Sequence, residues 1–119
     1  MQYTTYIEIT ETAQGLLSKN CSDDDIQKDK IQVKSLELSK GINDSKSIEK
    51  IILEKSLDRS SPLLLNAIDK NESLELKTSL YINGKIAHEF KFKNAFIERI
   101  DTKFSDESAP YEKIQIKIA

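Results

Sequence analysis

His88 is the chain's single histidine and Cys21 its single cysteine. An imidazole can act as a general base or a metal ligand near neutral pH, and a thiolate as a nucleophile. Neither residue has the company that chemistry needs. A zinc site draws several ligands from Cys and His, and no second residue of either kind exists here. His88 falls in the alternation Ile86, His88, Phe90, Phe92, which reads as the apolar face of a strand, opposite Thr78. Cys21 lies beside Asp23-Asp24-Asp25, and neighbouring acids disfavour a thiolate. Those three acids lack the spaced oxygens, central Gly and closing Glu of a calcium loop, so they read as a solvated loop. Ser60 and Ser61 have no glycine-flanked elbow around them. Gly15, Gly41 and Gly84 are too scattered for a phosphate loop. The residues predict no catalytic site, no metal and no cofactor, and therefore a protein that is not an enzyme.

Composition narrows the classes further. At 119 residues the chain is expected to form a single domain over residues 1–119. Twenty acids against eighteen bases leave a formal charge of −2, which argues against a nucleic-acid partner that would need a basic stripe. One cysteine makes no intrachain disulfide. No apolar run approaches the ~18 residues of a membrane span, so no membrane insertion is expected. Met1-Gln2-Tyr3 runs directly into an alternating strand without a secretory signal pattern. Synthesis in the cytoplasm is the expectation, with any export by another route.

The elements that must carry these residues are mostly strands. Thr5, Ile7 and Ile9 alternate with Tyr6, Glu8 and Thr10. Leu16 to Asp29 is polar and reads as a loop. Ile31 and Val33 set one phase while Leu36 and Leu38 set the other, which predicts a bulge near Lys34-Ser35. Ile48 to Leu57 reads as a strand with Ile51, Leu53 and Leu57 in phase. Leu74, Leu76, Thr78 and Leu80 then precede Asn83-Gly84, and Ile86, His88, Phe90 and Phe92 follow it. Asn-Gly favours a two-residue turn, but that register sets Leu80 against Ala87 and Leu76 against Lys91. A three-residue loop, Ile82-Asn83-Gly84, would match Leu80 with Ile86 and Leu76 with Phe90. An irregularity is expected near Asn94-Ala95, a turn over Ser105 to Pro110, and a closing strand through Ile114, Ile116 and Ile118.

One helix interrupts the strands. Asp58-Arg59-Ser60-Ser61-Pro62 leads into Leu63-Leu64-Leu65. Pro suits the first helical position, Ser61 ahead of it can accept from a free amide, and Asp58 can accept backbone amides at the helix start. Leu64, Leu65 and Ile68 form the predicted buried stripe, with Asn71 as a left-handed cap near the end. The predicted architecture is mainly β: a small antiparallel barrel with one short lateral helix.

The stretch Asp58-Arg59-Ser60-Ser61-Pro62-Leu63-Leu64 resembles the loop into the only helix of the haemolysin-coregulated protein (Hcp) family, the tube proteins of type VI secretion. Lys93-Asn94-Ala95-Phe96-Ile97 is similar to that family's late strand, and Glu112-Lys113-Ile114-Gln115-Ile116-Lys117-Ile118 to its closing strand. Lys30 to Leu38 matches the second strand. The resemblance implies homohexameric rings that stack into a tube, export through the type VI apparatus, and partners among its other components and effectors. The chain departs from the family at Leu38-Ser39-Lys40-Gly41, which lacks an aromatic-Gly ending. The next connection, Gly41-Ile42-Asn43-Asp44-Ser45-Lys46-Ser47, is brief; as the ring-stacking loop it predicts weak stacking.

The polar face of the hairpin reads Glu75, Lys77, Ser79, Tyr81 and then Glu89, Lys91, Lys93. Under the Hcp reading this face lines a lumen or a subunit contact, where effectors could be chaperoned. The alternative is a small β-barrel that binds an apolar ligand in its mouth, with no secretion role. A hydrolase with an unrecognised site is the remaining alternative.

Overall fold

The structure is a computed structural model and describes residues 3–11, 14–19, 21, 29–40, 50–104 and 109–119. Among the described residues, eight strands and one helix follow in order: β1 (Tyr3–Glu11), β2 (Gly15–Leu16), β3 (Ile31–Val33), β4 (Ser35–Ser39), β5 (Lys50–Ser56), α1 (Ser61–Asp69), β6 (Leu74–Ile82), β7 (Lys85–Lys103) and β8 (Tyr111–Ile118). All strand pairs are antiparallel. The sheet runs β2-β1-β6-β7-β8-β5-β4, with β3 also on β1.

The expected barrel is not a closed hydrogen-bonded ladder. One segment straddles its two ends instead. Ile31–Val33 pairs with β1, and after Lys34 the chain turns so that Ser35–Ser39 pairs with β5. The Lys34 amide already donates to the Glu54 carbonyl at 2.7 Å. The bulge expected near Lys34-Ser35 is instead a change of partner strand, at the place where the apolar phase changes. Ile31 and Val33 are buried beside Ile7, whereas Leu36 and Leu38 pair with the buried Leu53 and Ile51. The strand expected from Ile48 is described from Lys50. The loop expected over Leu16 to Asp29 begins with a two-residue strand on β1; most of it lies outside the described residues, as do Asp23–Asp25, the Gly41–Ser47 connection and most of the Ser105–Pro110 turn.

The hairpin corrects the sequence reading. Asn83 (φ 52) and Gly84 (φ 81) are both left-handed and form a two-residue turn, with Ile82 opposite Lys85 and Tyr81 opposite Ile86. That is the geometry Asn-Gly favours. The mismatch that argued against it is real, but it is removed one step later. A register shift between Leu80 and Tyr81 leaves Ala87 without a partner, so Leu80 meets His88 and Leu76 meets Phe92. His88 therefore lies opposite Leu80, not Thr78. The apolar faces coincide as expected, through a bulge in β7 rather than a longer loop. The irregularity at Asn94 (φ 56) shifts the register again, so Leu74 meets Ala95.

The helix packs against β7, but on a different stripe. Leu64 and Ala67 are buried, Leu63 and Ile68 are half-buried, and Leu65 is 49% exposed. Two helical faces contain Leu64 and Ile68; size favours the one with Leu65, while the fold uses the one with Ala67, whose small side chain permits close approach. Pro62 is the second helical residue, behind Ser61. Asn71 (φ 51) takes the left-handed position just past the helix, as expected.

Truncating Leu64 to Ala should cost about 2–5 kcal/mol in denaturant unfolding, whereas Leu65→Ala should fall within about 0.5 kcal/mol of the parent. Equal losses would place the buried stripe elsewhere. Gly84→Ala meets no atom within 4 Å of the new Cβ. It should still lose about 1 kcal/mol, from backbone strain alone at positive φ.

Candidate functional site

The helix start is built around a buried ammonium. Lys55 follows Ile51 and Leu53 on the inward face of β5, and its side chain is 0% exposed. Its partner across the ladder is Glu112, itself 1% exposed. Lys55 Nζ donates to Glu112 Oε1 at 2.8 Å, to Asp58 Oδ1 at 3.0 Å and to the Ser56 carbonyl at 3.0 Å. An ammonium has three protons to give, and each has an acceptor.

The predicted helix-start residues close on this cation. The Ser60 amide donates to Asp58 Oδ1 at 2.8 Å, and the Ser60 hydroxyl donates to the same oxygen. Asp58 thus does accept a backbone amide, as its position predicts. The Ser61 hydroxyl accepts from the Asp58 amide at 3.0 Å and donates to Glu112 Oε1. It caps the turn before the helix, not a helical amide, and the residue in the N-cap position is Ser60, without a side-chain cap. Asp58, Ser60 and Ser61 are brought together; Pro62 is exposed and acts on the backbone alone. Lys55 and Glu112 are the members that sequence reasoning missed. Their signal was phase: each is a charged residue on the apolar side of an alternating strand.

A second buried acid ties the same helix to β1. Glu11, 1% exposed, follows Ile7 and Ile9 on the inward face. Gln14 Nε2 donates to one Glu11 carboxylate oxygen and to the Leu63 carbonyl at 3.3 Å. The other Glu11 oxygen has no partner among the described residues.

Cys21 is half-buried and packs against the core beside this turn. Burial first, then the Asp58 carboxylate, push its thiol up, against smaller opposing effects from Ser60 and Lys55. A thiol shifted that way is a poor nucleophile at neutral pH. Among the described residues no group of His, Cys, Asp and Glu is arranged to hold a metal. No helix among them is long and apolar enough to cross a membrane.

The charged hairpin residues share one face. Ser79 pairs with Glu89 and Lys77 with Lys91, while Glu75 lies between Thr10 of β1 and the Lys93-Asn94 irregularity. Glu8 of β1 lies opposite Lys77. Glu89 sits 3.8 Å from Lys77 and 3.9 Å from Lys91, which separates two lysines directly opposed across the ladder. Ser79 is buried, and Tyr81 meets Tyr6 edge-on with ring centroids 5.6 Å apart. The open part of the face is therefore Glu8, Glu75 and Glu89 against Lys77, Lys91 and Lys93. At the far end of β7, Arg99 donates to Asp101 at 2.8 Å, and that hydrogen bond holds the Asp101 carboxyl below its ordinary range.

Lys55→Met should lose about 3–5 kcal/mol, because two carboxylates then face each other without a cation. Adding Glu112→Leu to that variant should recover part of the loss. The check is a double-mutant cycle by chemical denaturation; strict additivity would show that the two side chains are uncoupled.

The sequence model of the type VI secretion system effector family Hcp matches residues 6–118. No curated protein sequence gives a significant match. Among solved structures, the chain is similar to the secreted protein Hcp3 from Pseudomonas aeruginosa, with a TM-score of 0.83 and 21% identity over 98% of this chain and 86% of that one. It is similar to Hcp1 from Salmonella typhimurium, with a TM-score of 0.78 and 16% identity over 99% and 83% of the two chains. It also resembles a type VI secretion system effector from Yersinia pestis, with a TM-score of 0.77 and 21% identity over 94% and 83%. The fold is shared at identities too low to carry more than fold, and the family match spans nearly the whole chain: this protein belongs to the Hcp family of type VI secretion.

Proposed function

We propose that this chain, as one domain, is a tube subunit of a type VI secretion system. It assembles into hexameric rings, is exported through the apparatus, and carries effectors in the ring lumen. The observation that supports this most is the balanced face on β1, β6 and β7. Three carboxylates and three ammonium groups share that face, and among the described residues its one exposed large apolar side chain is Ile86 at the hairpin end. A wall of that kind gives passing polypeptide no hydrophobic grip and no single-sign field to hold it. It suits a conduit better than a docking site. Family membership supplies the secretion context.

The brief Gly41–Ser47 connection supports single rings over long tubes, since a lasting ring-on-ring contact needs on the order of 1,200–2,000 Å² of buried surface. A binding module is the second reading. It is favoured by a groove of about 820 Å³ between Tyr3–Thr5 and β4, lined also by Leu80 and Phe90.

Sedimentation velocity at micromolar concentration separates the two. The tube reading expects a closed ring, alone or in a concentration-dependent equilibrium with monomer, and few tubes. A monomer at every concentration would favour the binding module. Abundant tubes from this protein alone would show that the short connection does not limit stacking.

A further inference from the structure

Among the described residues, three asparagines hold left-handed backbone: Asn71 (φ 51), Asn83 (φ 52) and Asn94 (φ 56). The residues that follow them differ. Glu72, after Asn71, donates its amide to the Ala67 carbonyl at 3.0 Å. Ala95, after Asn94, is fully buried and pairs with Leu74 on one side and Ile118 on the other. Gly84, after Asn83, is exposed, and its amide has no acceptor among the described residues. A Cβ placed on Gly84 would meet no atom within 4 Å, so nothing crowds this nitrogen from its Cα side. Asn66, the remaining described asparagine, sits inside α1 ahead of the buried Ala67. Across the whole sequence only Asn83 precedes a glycine.

Asparagine is among the thermolabile residues, because its side-chain carbonyl is within reach of the next backbone nitrogen. Attack by that nitrogen closes a five-membered ring, and the step gains from being intramolecular. A side chain on the following residue hinders the attack, and a hydrogen bond occupies the nucleophile. Gly84 has neither. The turn itself resists, since ring closure requires Asn83 to rotate out of its turn conformation. Yet the tip is lightly held. Beyond the register shift at Leu80 and Tyr81, only Tyr81–Ile86 and Ile82–Lys85 close the hairpin, and Lys85, Ile86 and Ala87 are exposed. β1 continues beside Tyr81 and Ile82, so the β7 arm is the one that moves. A short terminal ladder of this kind opens without global unfolding.

We propose that Asn83 is a site of spontaneous modification, converted through a cyclic imide with the Gly84 nitrogen to aspartate and isoaspartate. The Gly84 amide gives its proton to solvent base, and its nitrogen bonds to Asn83 Cγ. The Cγ–Nδ2 bond breaks, and the nitrogen takes up a proton and leaves as ammonia. Water then opens the ring. Opening at Cγ gives aspartate; opening at the main-chain carbonyl gives isoaspartate, whose backbone runs through Cβ and Cγ. The net change is one water taken up and one ammonia released. Either product adds a negative charge to a chain of formal charge −2. Aspartate keeps an Asp-Gly pair, which suits the same turn. Isoaspartate inserts an extra backbone carbon, which a two-residue turn cannot hold in register. Its effect reaches the ladder as far as the Ala87 bulge and leaves the pairs beyond it in place.

The test holds the full chain in mildly alkaline buffer, folded and in denaturant, and follows every asparagine by peptide mass spectrometry. Isoaspartate is scored by labelling with an isoaspartyl carboxyl methyltransferase. In the folded chain position 83 should convert before any other asparagine, faster as pH rises, because the attacking amide must lose its proton. It should convert about 5–30-fold more slowly than in denaturant, the factor by which the closed tip outweighs the open one. Gly84→Ala should slow conversion in denaturant, where its effect on the turn plays no part. A folded chain that keeps Asn83 intact while the denatured chain converts it would overturn the proposal. Aspartate without isoaspartate, or an unchanged rate in Gly84→Ala, would overturn the ring step. Earlier conversion at Asn71 or Asn94 would overturn the choice of site.

Discussion

The buried Lys55 ammonium is the constraint on which the rest of this structure depends. Burying a charge is costly unless it is paired and fully hydrogen-bonded. Here one cation satisfies two carboxylates that belong to distant parts of the chain, Asp58 just after β5 and Glu112 at the start of β8. The consequences reach outward from that point. Asp58, held by Lys55, receives the Ser60 amide and so sets the turn before the helix. Glu112, held by Lys55, receives the Ser61 hydroxyl and so fixes the first helical residue to β8. Glu11 reaches the next residues through Gln14 and the Leu63 carbonyl. The helix is a short one and would be marginal alone. Its position is set by acids on two strands as much as by Leu64 and Ala67. Apolar replacement of a whole buried pair is often neutral while removal of one partner is costly, so the cluster here fixes where the helix sits.

Much of this was legible beforehand. Alternation located the strands and the break at Lys34, because a phase change within one strand has few physical meanings. Ser-Ser-Pro after Asp58 located the helix start, and Asn71 its end. The misses share a cause. Lys55 and Glu112 were placed in strands, yet their burial depends on each other across the ladder, and pairing between distant strands is not written in local periodicity. Leu65 was misassigned because side-chain size was weighed above helical geometry; Ala67 faces the sheet because the helix must lie close to it. The hairpin failed more instructively. Local turn chemistry and the global matching of faces disagreed, and the loop was chosen as the place to resolve them. The fold kept the favoured Asn-Gly turn and absorbed the mismatch at Ala87, where one extra residue in an exposed strand costs little.

That bulge also shapes the surface. Before it, Ile86 shares a side with Tyr81; after it, Glu89 and Lys91 do, while His88 and Phe90 turn to the core side. The change of phase separates charge from aromatic rings along the rest of β7. Without it, the six open charges on β1, β6 and β7 would not share one face, and the stacked rings of His88, Phe90 and Phe92 would not continue the core.

β7 carries the argument from fold to function. It is long enough to serve two ladders in succession, with β6 over its first half and β8 over its second. A strand that changes partners partway leaves part of an edge open, and the same holds for the Ile31–Ser39 segment, which leaves β1 for β5 at Lys34. A sheet closed by hydrogen bonds has no such edges. Among the described residues the sheet stops short of closure at two places, with apolar side chains beside both. As a lone monomer that arrangement is an association hazard. A ring of copies, as proposed above, would cover such edges and leave the balanced charged face free.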